Sequence, residues 1–304
     1  MSEFSIEQLK SFLDAMGVDY IVSGQLSKVC SRPSSLSDTS ENSVTFVRSV
    51  SIEHELLVGL RGIVLCPPQL HDSNVEKAIA AGELTKVVID DTEVIFYMIL
   101  NHFFSEKLSE EIHESSYVES GAAINEGVTI GANSFVASSV KLEYGVRIGS
   151  NCTLRNCTVG AETTIQDGVR IGEDALGAVQ KKNGEWVDRQ SFGRVVVGRN
   201  VRIEANTVIY RGFLKDTILK NNIRVGSNCS IGNGVQIGEG TLIAFGVVIC
   251  GSVSIGSNAR IWGNSSMREG VNIGDKAVIG LGSVVLNDVR DGEVHVGNPS
   301  RRLE

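Results

Sequence analysis

From Leu219 to Val285 an aliphatic residue or methionine returns at every sixth position: Leu219, Val225, Ile231, Ile237, Ile243, Ile249, Ile255, Ile261, Met267, Ile273, Ile279 and Val285. A small residue tends to follow, as at Gly226, Gly232, Gly238, Ala244, Gly256, Gly274 and Gly280. The fifth place of the unit is often small or β-branched, as at Cys229, Val235, Thr241, Val247 and Val253. A period of six is neither the 3.6 of a helix nor the simple alternation of a strand. It describes a short strand followed by a tight turn, with one aliphatic side chain per unit always pointing the same way. Three such strands close a triangular coil. Stacked coils then bury the aliphatic column, and ladders of backbone hydrogen bonds run between them. Glycine and asparagine supply the turn conformations. The pattern predicts a parallel β-helix of hexapeptide repeats, left-handed and trimeric in its usual form.

The same period occupies an earlier block, Val118, Ile124, Ile130, Val136, Leu142 and Ile148. After "LRNCT", one residue short of a hexad, Val159, Ile165 and Ile171 resume it, and Val197, Ile203 and Ile209 follow a gap. Two segments leave the repeat: 174–194, "DALGAVQKKNGEWVDRQSFGR", and 210–218, "YRGFLKDTI". Loops on a rigid solenoid commonly carry function; a bland insertion is the alternative. Residues 1–112 hold no hexads. A helix over about 5–16, the apolar runs "DYIVSG", "SVTFV", "GIVLCP" and "KVVIDD", and the helical stretches "VEKAIAAG" and "EVIFYMILNHFF" predict a small α/β domain. The expected organisation is therefore an α+β chain: a nucleotide-binding-like α/β domain over 1–112, the β-helix over 113–290 with its insertion at 174–194, and a tail over 291–304.

Composition narrows the partners. The 304-residue chain carries a net charge of −8, which argues against nucleic acid. Its opening is an amphipathic helix studded with charges, and no apolar run approaches the roughly 18 residues a membrane span needs. A cytoplasmic protein without an integral membrane segment is expected. Six cysteines (30, 66, 152, 157, 229 and 250) show no C-x-x-C spacing and are expected to be buried small hydrophobes rather than disulfides or metal ligands. No metal is expected.

The order of a small α/β domain, then "GEWV…GRVVVG.NVRIEANTVIYRG.L.DT", then unbroken hexads resembles the lipid A pathway enzymes that transfer a 3-hydroxyacyl chain to the 2-amino group of a UDP-3-O-acylated glucosamine. "SVTF" near position 46 and the "NGEWV…GRVVVG" loop carry the resemblance most specifically. It implies a homotrimer with active sites in grooves between neighbouring prisms, and a 174–194 loop reaching over a neighbour. It also implies a general-base histidine in a hexad of the form I-A-H-N-V-x-I-G. Here that hexad reads Ile231, Gly232, Asn233, Gly234, Val235, Gln236, Ile237, Gly238, so Asn233 stands at the histidine's place. A second family histidine falls on Gly270. The five histidines (54, 71, 102, 113 and 295) all lie outside the repeat proper. In the family a phenylalanine and a tyrosine hold uracil, with an asparagine between them. Phe46 matches the first, while Ser49 and Ile52 occupy the other two places. The family's C-terminal helices, which help to dock acyl carrier protein, are replaced by "VHVGNPSRRLE". A V-x-G-N-P-(A/S)-(R/K) ending is typical of acetyl-CoA-dependent hexapeptide transferases.

An amine can attack a thioester without a dedicated base, because part of a sugar amine is neutral near pH 8. A histidine base is worth roughly 10²–10⁴-fold, and placement and oxyanion donors contribute comparable factors. Asn233 is then expected to accept a hydrogen bond from the amine and orient it; its alternative is a turn asparagine with an exposed side chain. Backbone N–H groups around Gly251 or Gly263 would meet the thioester oxygen, with Asn264 and Glu269 as weaker candidates nearby. Ala244, Phe245 and Gly246 are expected near the groove, where Phe245 either shortens an acyl channel or packs between subunits. Arg301 and Arg302 either meet phosphates of coenzyme A or are ordinary surface charges. The favoured expectation is a transferase that uses acyl-CoA, chiefly acetyl-CoA, to N-acylate a nucleotide-linked amino sugar for bacterial surface polysaccharide or O-antigen. Two rivals stand beside it: the lipid A enzyme itself, using an acyl carrier protein thioester, and a non-catalytic relative. A γ-type carbonic anhydrase needs three zinc-binding histidines, which the repeat does not supply.

Overall fold

A computed structural model describes residues 3–24, 29–49, 57–104 and 111–303. The chain divides into two compact units, Met1–Leu108 and Ser109–Glu304.

The first unit is a three-layer α/β fold, as its patterning predicts. Helix α1 (Ile6–Ala15) starts at a capping box in which Ser5 Oγ accepts from the Gln8 N–H and the Gln8 side chain accepts from the Ser5 N–H. Helix α2 (Ser73–Ala80) is capped by the Asp72 carboxylate, and α3 spans Thr92–Phe103. The five-stranded sheet runs in the order Tyr20–Gly24, Leu84–Ile89, Gly62–Cys66, Ser43–Phe46, Arg32–Pro33. Only the first of these pairs antiparallel to its neighbour. Side chains alternate across the sheet. Ile63 and Leu65 join Leu9, Leu13 and Ile99 on the α1/α3 side, while Val64 and Cys66 join Val75 on the α2 side.

The second unit is the β-helix. Three sheets of ten, nine and eight strands run up its faces, each strand pairing with the one 18 residues on wherever hexads are unbroken. Ile231, Ile249 and Met267 thus stack in one column, all buried. Burying each such side chain is worth about 1.5–3 kcal/mol, and a single contiguous core runs the length of the unit. At the corners, asparagines such as Asn206, Asn222, Asn228 and Asn258 adopt left-handed backbone conformations with φ of 57–60°, which asparagine tolerates better than most side chains. Buried hydroxyls tie successive coils: Thr241 Oγ1 donates to the Gly256 carbonyl and accepts from the Ala259 N–H.

The interruptions are structured. Arg170–Asp174 runs on past its hexad to pair with Val208–Arg211, and the chain then forms an antiparallel hairpin of Ala178–Gln180 with Trp186–Asp188. The insertion returns through Phe192 and Gly193, whose N–H groups donate to the Phe213 and Gly212 carbonyls. The two segments that leave the hexads therefore bond to each other. At the far end Val294–Val296 extends the ten-stranded sheet beside Val278–Ile279, and Arg301–Arg302 folds back antiparallel upon it.

One sequence expectation is corrected here. Five cysteines are buried, but Cys250 is exposed. It follows the inward-facing Ile249 and opens the turn, so its side chain points out of the prism. Burial pushes the thiols of Cys30, Cys66 and Cys157 up to about 12.

Candidate functional site

The hexad carrying Asn233 turns outward immediately after the buried Ile231. The Asn233 carbonyl accepts from the Ser252 N–H of the next coil at 2.8 Å, which fixes the backbone. Its side chain is half-buried and lies over Gly251: Oδ1 is 2.7 Å, and Cγ and Nδ2 3.2 Å, from the point where a β-carbon on Gly251 would stand. Only a glycine leaves that space. The amide is therefore held against the next coil rather than free in solvent. No protein acceptor among the described residues takes the Gly251 N–H. A half-buried amide and an uncommitted N–H thus sit side by side, one able to orient a polar hydrogen, the other to meet a developing oxyanion.

Gly234 follows, with φ at 66°. Its N–H donates to Thr217 Oγ1 at 2.8 Å, and that hydroxyl donates to the Tyr210 carbonyl at 2.7 Å. Gln236 Nε2 donates to the Asp216 carbonyl, and the Asp216 carboxylate accepts from the Arg194 N–H at 2.7 Å. The excursion 210–218 is thereby fastened to the Asn233 hexad on one side and to the end of the insertion on the other. Arg211 anchors the insertion's start by donating to Asp174, which holds the Asp174 carboxyl below the usual carboxylate range.

The stacking places Asn233, Gly251 and the exposed Glu269 on one corner, 18 residues apart. Ala244, Gly246 and Gly263 stand instead on the corner that follows the ten-stranded sheet, so one chain does not bring them to Asn233. On that second corner the exposed Phe245 ring lies over Gly263, its Cζ 2.9 Å from the position of a β-carbon there. Trp262 and Leu281 are exposed beside it, and Asn264 covers Gly246. In the tail Arg301 is exposed and donates to the Ser300 carbonyl, while Arg302 pairs with Glu293 at 3.5 Å. His295 donates or accepts toward the same Glu293 at 3.1 Å.

In the first unit Phe46 ends its strand against Phe96, ring centroids 4.8 Å apart. Ser49 is half-buried, and Ile52 lies outside the described residues, as does His54. The sequence reading passed over Tyr97 on α3, which is exposed and whose ring centroid is 6.3 Å from that of Phe46. The signal was its place on the outward side of an otherwise apolar helix.

A family description of GlmU-like C-terminal hexapeptides matches residues 111–185, and that of the hexapeptide repeat of succinyl-transferase matches 252–287. The UDP-3-O-acylglucosamine N-acyltransferase of Coxiella burnetii (strain Dugway 5J108-111) is 43% identical over 122 residues, 38% of this chain and 36% of that protein. The protein of the same name from Hydrogenovibrio crunogenus is 26% identical over 241 residues, 73% of this chain and 67% of its own length. The match to the first relative thus spans about a third of its length. Among solved structures, LpxA from Acinetobacter baumannii superposes with a TM-score of 0.57 at 22% identity, covering 63% of this chain and 73% of that one. An Arabidopsis UDP-N-acetylglucosamine acyltransferase reaches 0.52 at 24% identity over 64% and 73%. These superpositions speak for the fold.

Stacked hexads of this geometry define a left-handed parallel β-helix of the hexapeptide-repeat class. Within that class the chain resembles the UDP-3-O-acylglucosamine N-acyltransferases.

Proposed function

We propose that the chain is an N-acyltransferase that moves an acyl group from a thioester to the amine of a nucleotide-linked sugar, and that its substrate is of the UDP-3-O-acylglucosamine kind used in lipid A synthesis. The observation that carries this reading is the Asn233 amide held over Gly251, beside an N–H that no protein group occupies. The named relatives support the choice of substrate. The sequence-based preference for acetyl-CoA and surface polysaccharide gains nothing from them; its support is the tail, with Arg301 exposed in "VGNPSRR".

In this reading the amine binds with one hydrogen directed at Asn233 Oδ1, which aims its lone pair at the thioester carbon. As the N–C bond forms, the carbonyl π pair moves onto oxygen, where the Gly251 N–H donates to it. Collapse reforms the carbonyl and breaks the C–S bond. The departing thiolate takes the proton that nitrogen releases, so amide and thiol form with no net proton to remove. A hydroxyl acceptor, far less nucleophilic when neutral, lacks its base here. The chain acts in the cytoplasm as a homotrimer, with grooves between prisms bringing the second corner of one copy to the Asn233 corner of another. Calorimetry with acetyl-CoA, a 3-hydroxyacyl-CoA and 3-hydroxyacyl acyl carrier protein tests the donor. Binding of the carrier-protein thioester alone supports the lipid A substrate; binding of acetyl-CoA alone returns the acetyl-transfer reading.

A further inference from the structure

The excursion 210–218 does more than close a gap in the hexads. The Lys215 carbonyl packs against Gly193 and Gly212 so closely that a β-carbon at either glycine would strike it. Two glycines from the two interrupting segments therefore fix one lysine's backbone. Its side chain then runs across Gly234, with Cε 2.9 Å and Cγ 3.5 Å from where a β-carbon on Gly234 would stand. Gly234 is the residue next to Asn233. The stem is thus supported along its length while the residue stays exposed, and its ammonium has no hydrogen-bond or ion-pair partner among the described residues.

Other charges near this corner are committed elsewhere or displaced from it. The Asp216 carboxylate accepts from the Arg194 N–H, and the Arg194 guanidinium donates to the Ser139 and Cys157 carbonyls. Arg211 pairs with Asp174. Arg268 and Glu269 are exposed on the coil beyond Cys250 and Gly251, one coil further along the column than Asn233. Lys215 is the cation that packs on Asn233's own turn.

A cation beside an amine disfavours protonation of that amine, because two like charges repel at short range. We propose that Lys215 acts as a fixed cation that holds the acceptor amine of the sugar in its neutral, nucleophilic form at the Asn233 turn. This rests on the acyltransferase reading above and deepens it. Where a base would remove a proton after binding, the lysine selects the amine that arrives without one. No proton passes through Lys215; the nitrogen's proton still leaves on the thiolate sulfur.

The test is the pH dependence of kcat/KM for the amino sugar, measured between about pH 6 and 9.5 for the wild type, Lys215→Met and Lys215→Arg. Methionine keeps an unbranched stem over Gly234 and removes the charge; arginine keeps the charge. The acidic limb of the Lys215→Met profile is expected to move up by about one pH unit, lowering the rate at pH 7 about tenfold. Lys215→Arg is expected to keep the wild-type limb. Circular dichroism and thermal melting of each variant establish that the β-helix is intact. A Lys215→Met profile that overlays the wild type, with the rate unchanged at pH 7, overturns the inference and leaves the acyltransferase reading standing. A wild type that acylates no amine from any thioester overturns both.

Discussion

The amide of Asn233 lies over Gly251 of the following coil, with Oδ1 2.7 Å from where a β-carbon on that glycine would stand. The two residues are 18 apart and occupy one corner of the prism, so any side chain added at 251 must move the amide. Gly251→Ala is accordingly expected to lower kcat about 10²-fold while leaving KM for the sugar within about threefold, the pattern of a lost transition-state donor and orienting group. Steady-state kinetics against both substrates checks it. A change confined to KM points instead to a binding role.

Cys250, immediately before that glycine, is exposed while the other five thiols are buried. Native protein is expected to react rapidly with an aromatic disulfide reagent at one thiol, located by peptide mass spectrometry to Cys250. Cys157, raised to about 12 by burial, stays unmodified until the chain unfolds. Rapid labelling of two or more thiols contradicts the packing described.

The Asp174–Arg211 pair fastens the start of the insertion to the strand before the excursion. Asp174 titrates below its ordinary value, so its contribution is present above about pH 4 and is lost as pH falls through the lowered value. Asp174 is largely exposed, so the contribution is less than about 1 kcal/mol. Thermal melts of Asp174→Asn are expected to run slightly below the wild type at pH 6 and to converge with it near pH 2.5. Divergence that grows on acidification contradicts the pairing.

The core of the prism was legible because every inward position is aliphatic and spaced by six. Ile231, Ile249 and Met267 could be assigned to one column before any coordinate was known. The sheet of the first unit was legible from runs such as "GIVLC", whose alternate residues feed two different clusters. Corners are harder to read, because the hexad fixes what points in and says little about what crosses from coil to coil. Asn233 and Gly251 were legible together, since 18 residues is one turn. Gly263 was not separable from Gly251 by that argument, although it belongs to the next corner. Cys250 looked like its buried counterparts until its place just after the inward Ile249 was seen. Lys215 gave no signal in sequence: its position depends on Gly193 and Gly212, contributed by two segments that obey no repeat. Tyr97 reaches Phe46 only through the packing of α3 on the sheet.

The account's central claim is that this corner transfers an acyl group to an amine with asparagine at Asn233. The direct measurement is mass spectrometry of a reaction holding purified protein, UDP-3-O-acylglucosamine and a 3-hydroxyacyl acyl carrier protein, with acyl-CoA donors in parallel. The account predicts a new amide product formed in multiple turnovers and reduced at least tenfold in Asn233→Ala. Absence of amide product with every donor, from protein whose β-helix is intact, contradicts it.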